Sequence, residues 1–117
     1  MAETTYQGSC HCGAVRYRTA LDLASTITCN CSMCARAGTI LAFVPPDKFT
    51  LESGEDNLAN YQFNKKVIDH LFCKTCGIKP FARGESPQGP MIAINVRCLD
   101  GVDVFAIESQ KVQGKDL

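Results

Sequence analysis

Seven of the eight cysteines in this 117-residue sequence fall into three tight groups. They are Cys10-His11-Cys12, Cys29-Asn30-Cys31-Ser32-Met33-Cys34 and Cys73-Lys74-Thr75-Cys76. Thiols at that density force a choice between disulfides and metal. The start of the chain, Met-Ala-Glu-Thr-Thr-Tyr-Gln-Gly, has neither a basic opening nor an apolar stretch, so no secretory signal is expected. No apolar run approaches the ~18 residues of a membrane span. The expected setting is a reducing cytoplasm, where clustered cysteines serve as metal ligands. Any fold for this chain must then bring distant thiols together.

The spacing says how. In an extended backbone, alternate residues share a face. Cys10 and Cys12 therefore point one way and His11 the other. Cys29 and Cys31 behave alike, with Asn30 opposite. Cys73 and Cys76 instead wrap a knuckle around one ion, with Gly77 supplying the turn. Two same-sided pairs from distant segments make a four-thiolate tetrahedron with Zn–S near ~2.3 Å. Cys10, Cys12, Cys73 and Cys76 suit that description, although Cys73 and Cys76 could also complete the Cys29-Cys31 pair. A filled site of this kind contributes on the order of 10 kcal/mol of apparent folding energy. Cys29, Cys31 and Cys34 then form a three-thiolate group with one tetrahedral position open for water or substrate, the arrangement of catalytic zinc. Two zinc ions per chain are expected. Cys98 as a fourth ligand would close the second site, but a single cysteine on a strand is more often a small buried hydrophobe. His11 and His70 are read as surface or core residues, not as ligands.

The scaffold reads as mostly β, one domain over 1–117. Residues 5–12 and 14–19 form a hairpin about Gly13, and 25–30 is strand-like. Residues 32–37 make a short helical turn stopped by Gly38. The apolar run 39–44 is a buried strand ended by Pro45-Pro46. Short strands follow at 50–53, 58–64 and 67–72, separated by a loop at 54–57, and Phe81-Ala82-Arg83 follows the knuckle. Residues 85–90 are expected as an exposed loop, 91–98 and 102–107 as strands, and 110–117 as a loose tail. Sustained helical periodicity is absent, so many short strands argue for a sandwich. The 12 basic and 12 acidic residues balance, and no basic stripe is visible, so neither nucleic acid nor an anionic membrane is an expected partner.

These motifs, in order and spacing, resemble the GFA family, the glutathione-dependent formaldehyde-activating or CENP-V/GFA-domain proteins. The residues that carry the resemblance are Gly8-Ser9-Cys10-His11-Cys12-Gly13-Ala14-Val15, the triple-cysteine motif and Phe72-Cys73-Lys74-Thr75-Cys76-Gly77. It extends through Asn95-Val96-Arg97-Cys98-Leu99-Asp100-Gly101 and reaches Gly114-Lys115-Asp116. It implies an Mss4-like complex β-sandwich of short antiparallel strands around a structural zinc held by Cys10, Cys12, Cys73 and Cys76. It implies a second zinc at Cys29, Cys31 and Cys34, which would be the catalytic group. The implied activity is that of a carbon–sulfur lyase joining formaldehyde to glutathione as S-hydroxymethylglutathione.

The expected partner is accordingly a small thiol or thiol–aldehyde adduct, with glutathione as co-substrate. Arg36, Lys74, Arg83 and Arg97 are the candidate receivers of its carboxylates. The alternative is a non-catalytic zinc module that carries a small thiol or binds a protein. Two positions depart from the family's pattern. Asn30 stands where histidine is common, and Ala35-Arg36-Ala37 carries one basic residue where many members carry two.

Overall fold

A computed structural model describes residues 3–62 and 68–113. The expected strand residues Phe63, Asn64 and Val67 and the motif Gly114-Lys115-Asp116 lie outside them.

The hairpin comes first because its sequence alternates. β1 (Thr4–Ser9) and β2 (Arg16–Leu21) pair antiparallel from Thr4↔Leu21 to Ser9↔Arg16. Tyr17, Thr19 and Leu21 face inward and are buried, while Arg16 and Arg18 face water. Gly8 lies opposite Tyr17, and a Cβ there would sit 2.5 Å from the tyrosine ring. The ring therefore folds over bare backbone, which only glycine permits.

A short 3-10 turn leads into β3 (Ile27–Cys29), and α1 (Ser32–Ala37) follows at once. Gly38 ends the helix as its spacing predicts, its amide bonding to the Cys34 carbonyl. β4 (Leu41–Val44) is the apolar run, shorter than 39–44 at its start. β5 (Phe49–Ser53) joins the hairpin edge through β2. β6 (Leu58–Tyr61), β7 (Asp69–Cys73), β8 (Phe81–Ser86) and β9 (Gly89–Asn95) form a meander against β4, and β10 (Gln110–Val112) closes the other edge. Two sheets result. One holds β1-β2-β5, and the other runs β10-β3-β4-β9-β8-β7-β6.

The core fills the space between them. Tyr17, Phe49 and Phe81 stack with centroids 4.7 to 5.7 Å apart. Val15, Val44, Ile92, Ile94 and Val96 pack around them. Full burial of a side chain the size of Phe81 stabilises by roughly 1.5–3 kcal/mol.

Four expectations are corrected. Residues 102–107 form a 3-10 turn, Val104–Ala106, in place of a strand. The Asp103 carboxylate accepts the Phe105 amide at 3.1 Å, and that local bond outcompetes a ladder. Asn95 does the same at the end of β9, where its side chain accepts the Arg97 amide, so the strand expected over 91–98 stops at Asn95. Residues 85–90 belong mostly to strands. Glu85 pairs with Pro90 and Ser86 with Gly89, which leaves Pro87-Gln88 as the hairpin tip. Part of the tail is ordered as β10, which runs parallel to β3 and takes its free edge. Every other pairing among the described residues is antiparallel.

Candidate metal centres

Two knuckles face each other across the sheets. In the first, the Cys10 carbonyl accepts the Gly13 amide at 3.3 Å, and the Cys10 thiol accepts the Val15 amide at 3.3 Å. Cys10 through Gly13 is thus a turn and not extended strand. Its thiols share a side because the chain bends, which corrects the alternation argument. The second knuckle repeats the design. The Gly77 amide closes on the Cys73 carbonyl at 2.9 Å, and the Thr75 amide donates to the Cys73 thiol at 3.4 Å. Gly77 has φ +80, a conformation other residues adopt only with strain.

The four sulfurs of Cys10, Cys12, Cys73 and Cys76 all lie within 4.8 Å of one another. Cys12 is 3.6 Å from both Cys10 and Cys73. A tetrahedral zinc with Zn–S of ~2.3 Å sets its sulfurs about 3.8 Å apart. The donor set and its spacing therefore fit zinc. The electrostatics agree. The Cys76 amide, aided by Thr75 and opposed by burial, lowers the Cys73 pKa to about 6. At Cys12 the Ala14 amide favours the thiolate, but burial and the thiols of Cys10, Cys73 and Cys76 push the pKa up to about 11. Four sulfurs this close ionise together only around a cation.

Asn57 was not legible as part of this site. Its amide donates to the Cys73 thiol at 3.3 Å and to the Thr75 hydroxyl at 3.2 Å. Composition marks 54–57 only as loop. The pairing of Leu58 with Cys73 is what brings Asn57 to the knuckle.

The second group is local. Cys29 ends β3, and Cys31 sits at the start of α1. The Cys31 amide donates to the Cys29 thiol at 3.4 Å, and the Cys34 amide to the Cys31 thiol at 3.3 Å. The three sulfurs lie within 4.8 Å of one another, and all three residues are half-buried. Burial opposes ionisation of Cys31, but the Cys34 amide and the neighbouring thiols hold its pKa below the ordinary range. Burial, then Cys31, pushes Cys34 up to about 12. Among the described residues no fourth histidine, cysteine or carboxylate joins this group. Both cysteine groups are thus suited to zinc, one with four donors and one with three.

The remaining candidates fall outside. Cys98 joins neither group; its thiol is 3.6 Å from the Asn95 side-chain amide, and burial pushes its pKa up to about 11. His11 is exposed and belongs to neither cluster. Asn30 turns to the tail, where its side-chain amide donates to the Gln113 side-chain oxygen Oε1 at 2.7 Å. His70 is buried, and burial lowers its pKa. Of the four cations, only Arg36 borders the second group. It lines an open cleft of about 330 Å³ with Ser32, Met33 and Tyr61. Lys74 instead bonds the Asp56 carbonyl, Arg83 lies over the Phe81 ring, and Arg97 is exposed beyond β9.

Residues 5–112 match the family model described as glutathione-dependent formaldehyde-activating enzyme. The structure is also similar to a crystal structure of a Rhodobacter sphaeroides protein. That match has a TM-score of 0.80 and 32% sequence identity, over 91% of this chain and 99% of that one. Among the described residues no helix is long and apolar enough to cross a membrane.

Proposed function

The chain belongs to the family of glutathione-dependent formaldehyde-activating enzymes, and from that premise we propose that it makes or breaks a carbon–sulfur bond between a small thiol and an aldehyde at Cys29, Cys31 and Cys34. Its two sheets of short strands carrying these cysteine groups are the Mss4-like fold that the resemblance implied. One observation carries the reading. The Cys29-Cys31-Cys34 group offers three sulfurs on one side and no fourth protein ligand among the described residues. A complete four-sulfur site serves structure, whereas an incomplete one keeps a place for substrate.

The division of labour follows. Cys10, Cys12, Cys73 and Cys76 would hold the structural ion and tie the hairpin to β7. Cys29, Cys31 and Cys34 would hold the second. Zinc bound there supplies a Lewis acid that keeps a thiol ionised at neutral pH or polarises a carbonyl. In the condensation, the thiol sulfur attacks the aldehyde carbon, the carbonyl π bond breaks, and the thiol proton ends on the new hydroxyl. Nothing is oxidised or reduced. With formaldehyde and glutathione the product is S-hydroxymethylglutathione.

The chain's own residues contribute position. The cleft of Ser32, Met33, Arg36 and Tyr61 opens beside α1 and would seat the thiol's body. The Arg36 guanidinium gives one hydrogen bond to the Ser32 carbonyl at 3.0 Å, which leaves further donors for a carboxylate. Holding thiol and aldehyde in one cleft adds a proximity contribution. A reducing cytoplasm, the expected setting, would keep these cysteines available as metal ligands.

The test is exchange spectroscopy by NMR on formaldehyde plus glutathione, with and without the zinc-loaded protein. Exchange faster than the spontaneous reaction is expected, and it should vanish in Cys31→Ser. Equal rates with and without protein would sink the enzyme reading and favour a zinc module that carries a thiol or binds a protein.

A further inference from the structure

The three-cysteine group is compact in sequence, yet the rest of the fold holds little of its backbone. α1 is six residues long and buries none of them. A helix that short does not persist alone in water. β3 meets β4 only at Ile27↔Leu41. Thr28 and Cys29 run on past that contact. Among the described residues their ladder partner is β10, through Lys111↔Thr28 and Val112↔Cys29.

The same strand reaches beyond Cys29 into the motif. The Asn30 main-chain amide donates to the Val112 carbonyl at 3.2 Å, and the Asn30 side-chain amide donates to Gln113 Oε1 at 2.7 Å. Both bonds fall on the residue between Cys29 and Cys31, so they fix the stretch of backbone that joins those two thiols. The other end of β10 is anchored in the scaffold. The Gln110 amide donates to the carbonyl of buried Thr26 at 3.1 Å, and the Thr26 and Ser109 hydroxyls share a hydrogen bond of 3.0 Å.

Donors on a loose loop must be ordered before they can share one ion, and that ordering opposes binding. A strap that orders them beforehand raises affinity without adding a ligand. The strap itself is slight. Gln110 and Lys111 are exposed and Val112 is half-buried, and an edge held mostly by backbone bonds lies at the low-stability end of a fold. Strap and metal then stabilise each other, because coupling between two binding equilibria is reciprocal. We propose that β10 is a positioning strap for the Cys29–Cys31 backbone, so that docking of residues 110–113 and occupation of the three-cysteine site are linked. The proposal rests on the reading that Cys29, Cys31 and Cys34 hold a metal. It gives the tail control over that ion alone and leaves the four-sulfur site untouched.

Zinc-loaded protein is titrated with the chromophoric chelator 4-(2-pyridylazo)resorcinol, which yields an affinity for each equivalent, and Cys31→Ser marks the equivalent that belongs to the three-cysteine group. Wild type is compared with three strap variants, with circular dichroism as the control for folding. Val112→Pro puts a residue without an N–H into the ladder, Val112→Ile keeps the strand, and Gln113→Ala removes one exposed hydrogen bond. Couplings of this kind span roughly 5–150-fold. Val112→Pro should weaken the three-cysteine equivalent within that range and leave the other unchanged, with Val112→Ile near wild type. Gln113→Ala should weaken it by roughly twofold to tenfold, and it decides the matter if Val112→Pro does not fold. In wild type, amide exchange read by mass spectrometry over 109–113 should slow when the second equivalent of zinc is added. Folded strap variants that keep both affinities overturn the strap and leave the open-site reading standing. Equal weakening of both equivalents also overturns it, since that marks a loss of overall stability. So does tail exchange that is blind to the second equivalent. Wild-type protein that binds only one equivalent overturns the open-site reading and the proposal with it.

Discussion

The two cysteine groups are built from the same atoms and differ in reach. The four-sulfur group draws Cys10 and Cys12 from one knuckle and Cys73 and Cys76 from another, and Cys12 meets Cys73 across 61 residues of sequence. Cys10 and Cys73 are both fully inside the core. The three-sulfur group spans only six residues, 29–34, and all its members remain half-buried. A long-range cluster closes a large loop and so removes much chain entropy, which makes it a folding device. A local cluster closes almost nothing. Its free energy of metal binding is therefore available for a ligand and is not committed to the fold.

The sharpest way to break this contrast is to remove one ligand from each group. Cys10→Ser should abolish cooperative folding, because a loss on the order of 10 kcal/mol matches the whole net stability of a domain, ~5–15 kcal/mol. Thermal melting followed by circular dichroism should show no transition. A native-like melt would mean the first group does not hold the scaffold. Cys31→Ser should lose one of two zinc ions by metal analysis yet keep its midpoint to within about 5 °C, a shift worth roughly 1 kcal/mol. A collapse of that variant would erase the distinction.

Metal removal sharpens the same point. A chelator should take the zinc at Cys29, Cys31 and Cys34 first, with the β signal intact. The second equivalent should leave only as the protein unfolds. Acid should work in the same order. Ligand thiols must be deprotonated, so falling pH favours protons over zinc, and the three-donor group should empty at the higher pH. Simultaneous release of both ions in either titration contradicts the comparison.

Smaller effects test the surroundings. Gly8→Ala places a Cβ 2.5 Å from the buried Tyr17 ring, and overpacking of this kind costs about 1–3 kcal/mol. Chemical denaturation should show that loss with zinc content unchanged. The smallest effect is expected from Asn30→His, which restores the residue common in the family. Asn30 bonds the Gln113 side chain, so zinc stoichiometry should stay unchanged and stability should move by less than ~0.5 kcal/mol.

Much of this was legible in the sequence because it depends on near neighbours. The β1–β2 hairpin, the helix from Ser32 to Ala37 and the burial of the 39–44 run, apart from the exposed Phe43, follow from alternation, glycine placement and apolar content. The Asx bonds that end β9 at Asn95 and bend the chain at Asp103 were missed. Their side chains compete with the ladder at single residues, and a hydrophobic pattern does not register that. The parallel edge strand β10 was missed because a polar tail gains order only from the open edge of β3.

By itself, then, the sequence determined which thiols act together locally: the Cys73-x-x-Cys76 spacing and the glycine after it fix a knuckle, whereas the turn at Cys10–Gly13 reads from the spacing as extended strand. Which knuckle meets which was decided only in three dimensions. The pairing of β6, β7, β8 and β9 places Cys73 and Cys76 against Cys10 and Cys12 and leaves Cys29, Cys31 and Cys34 three-sided. The same folding carries Asn57 to the four-sulfur cluster and Asn95 to the Lys79 carbonyl. Their positions depend on backbone bonds made by residues far away in the chain, and distance along a sequence carries no record of those.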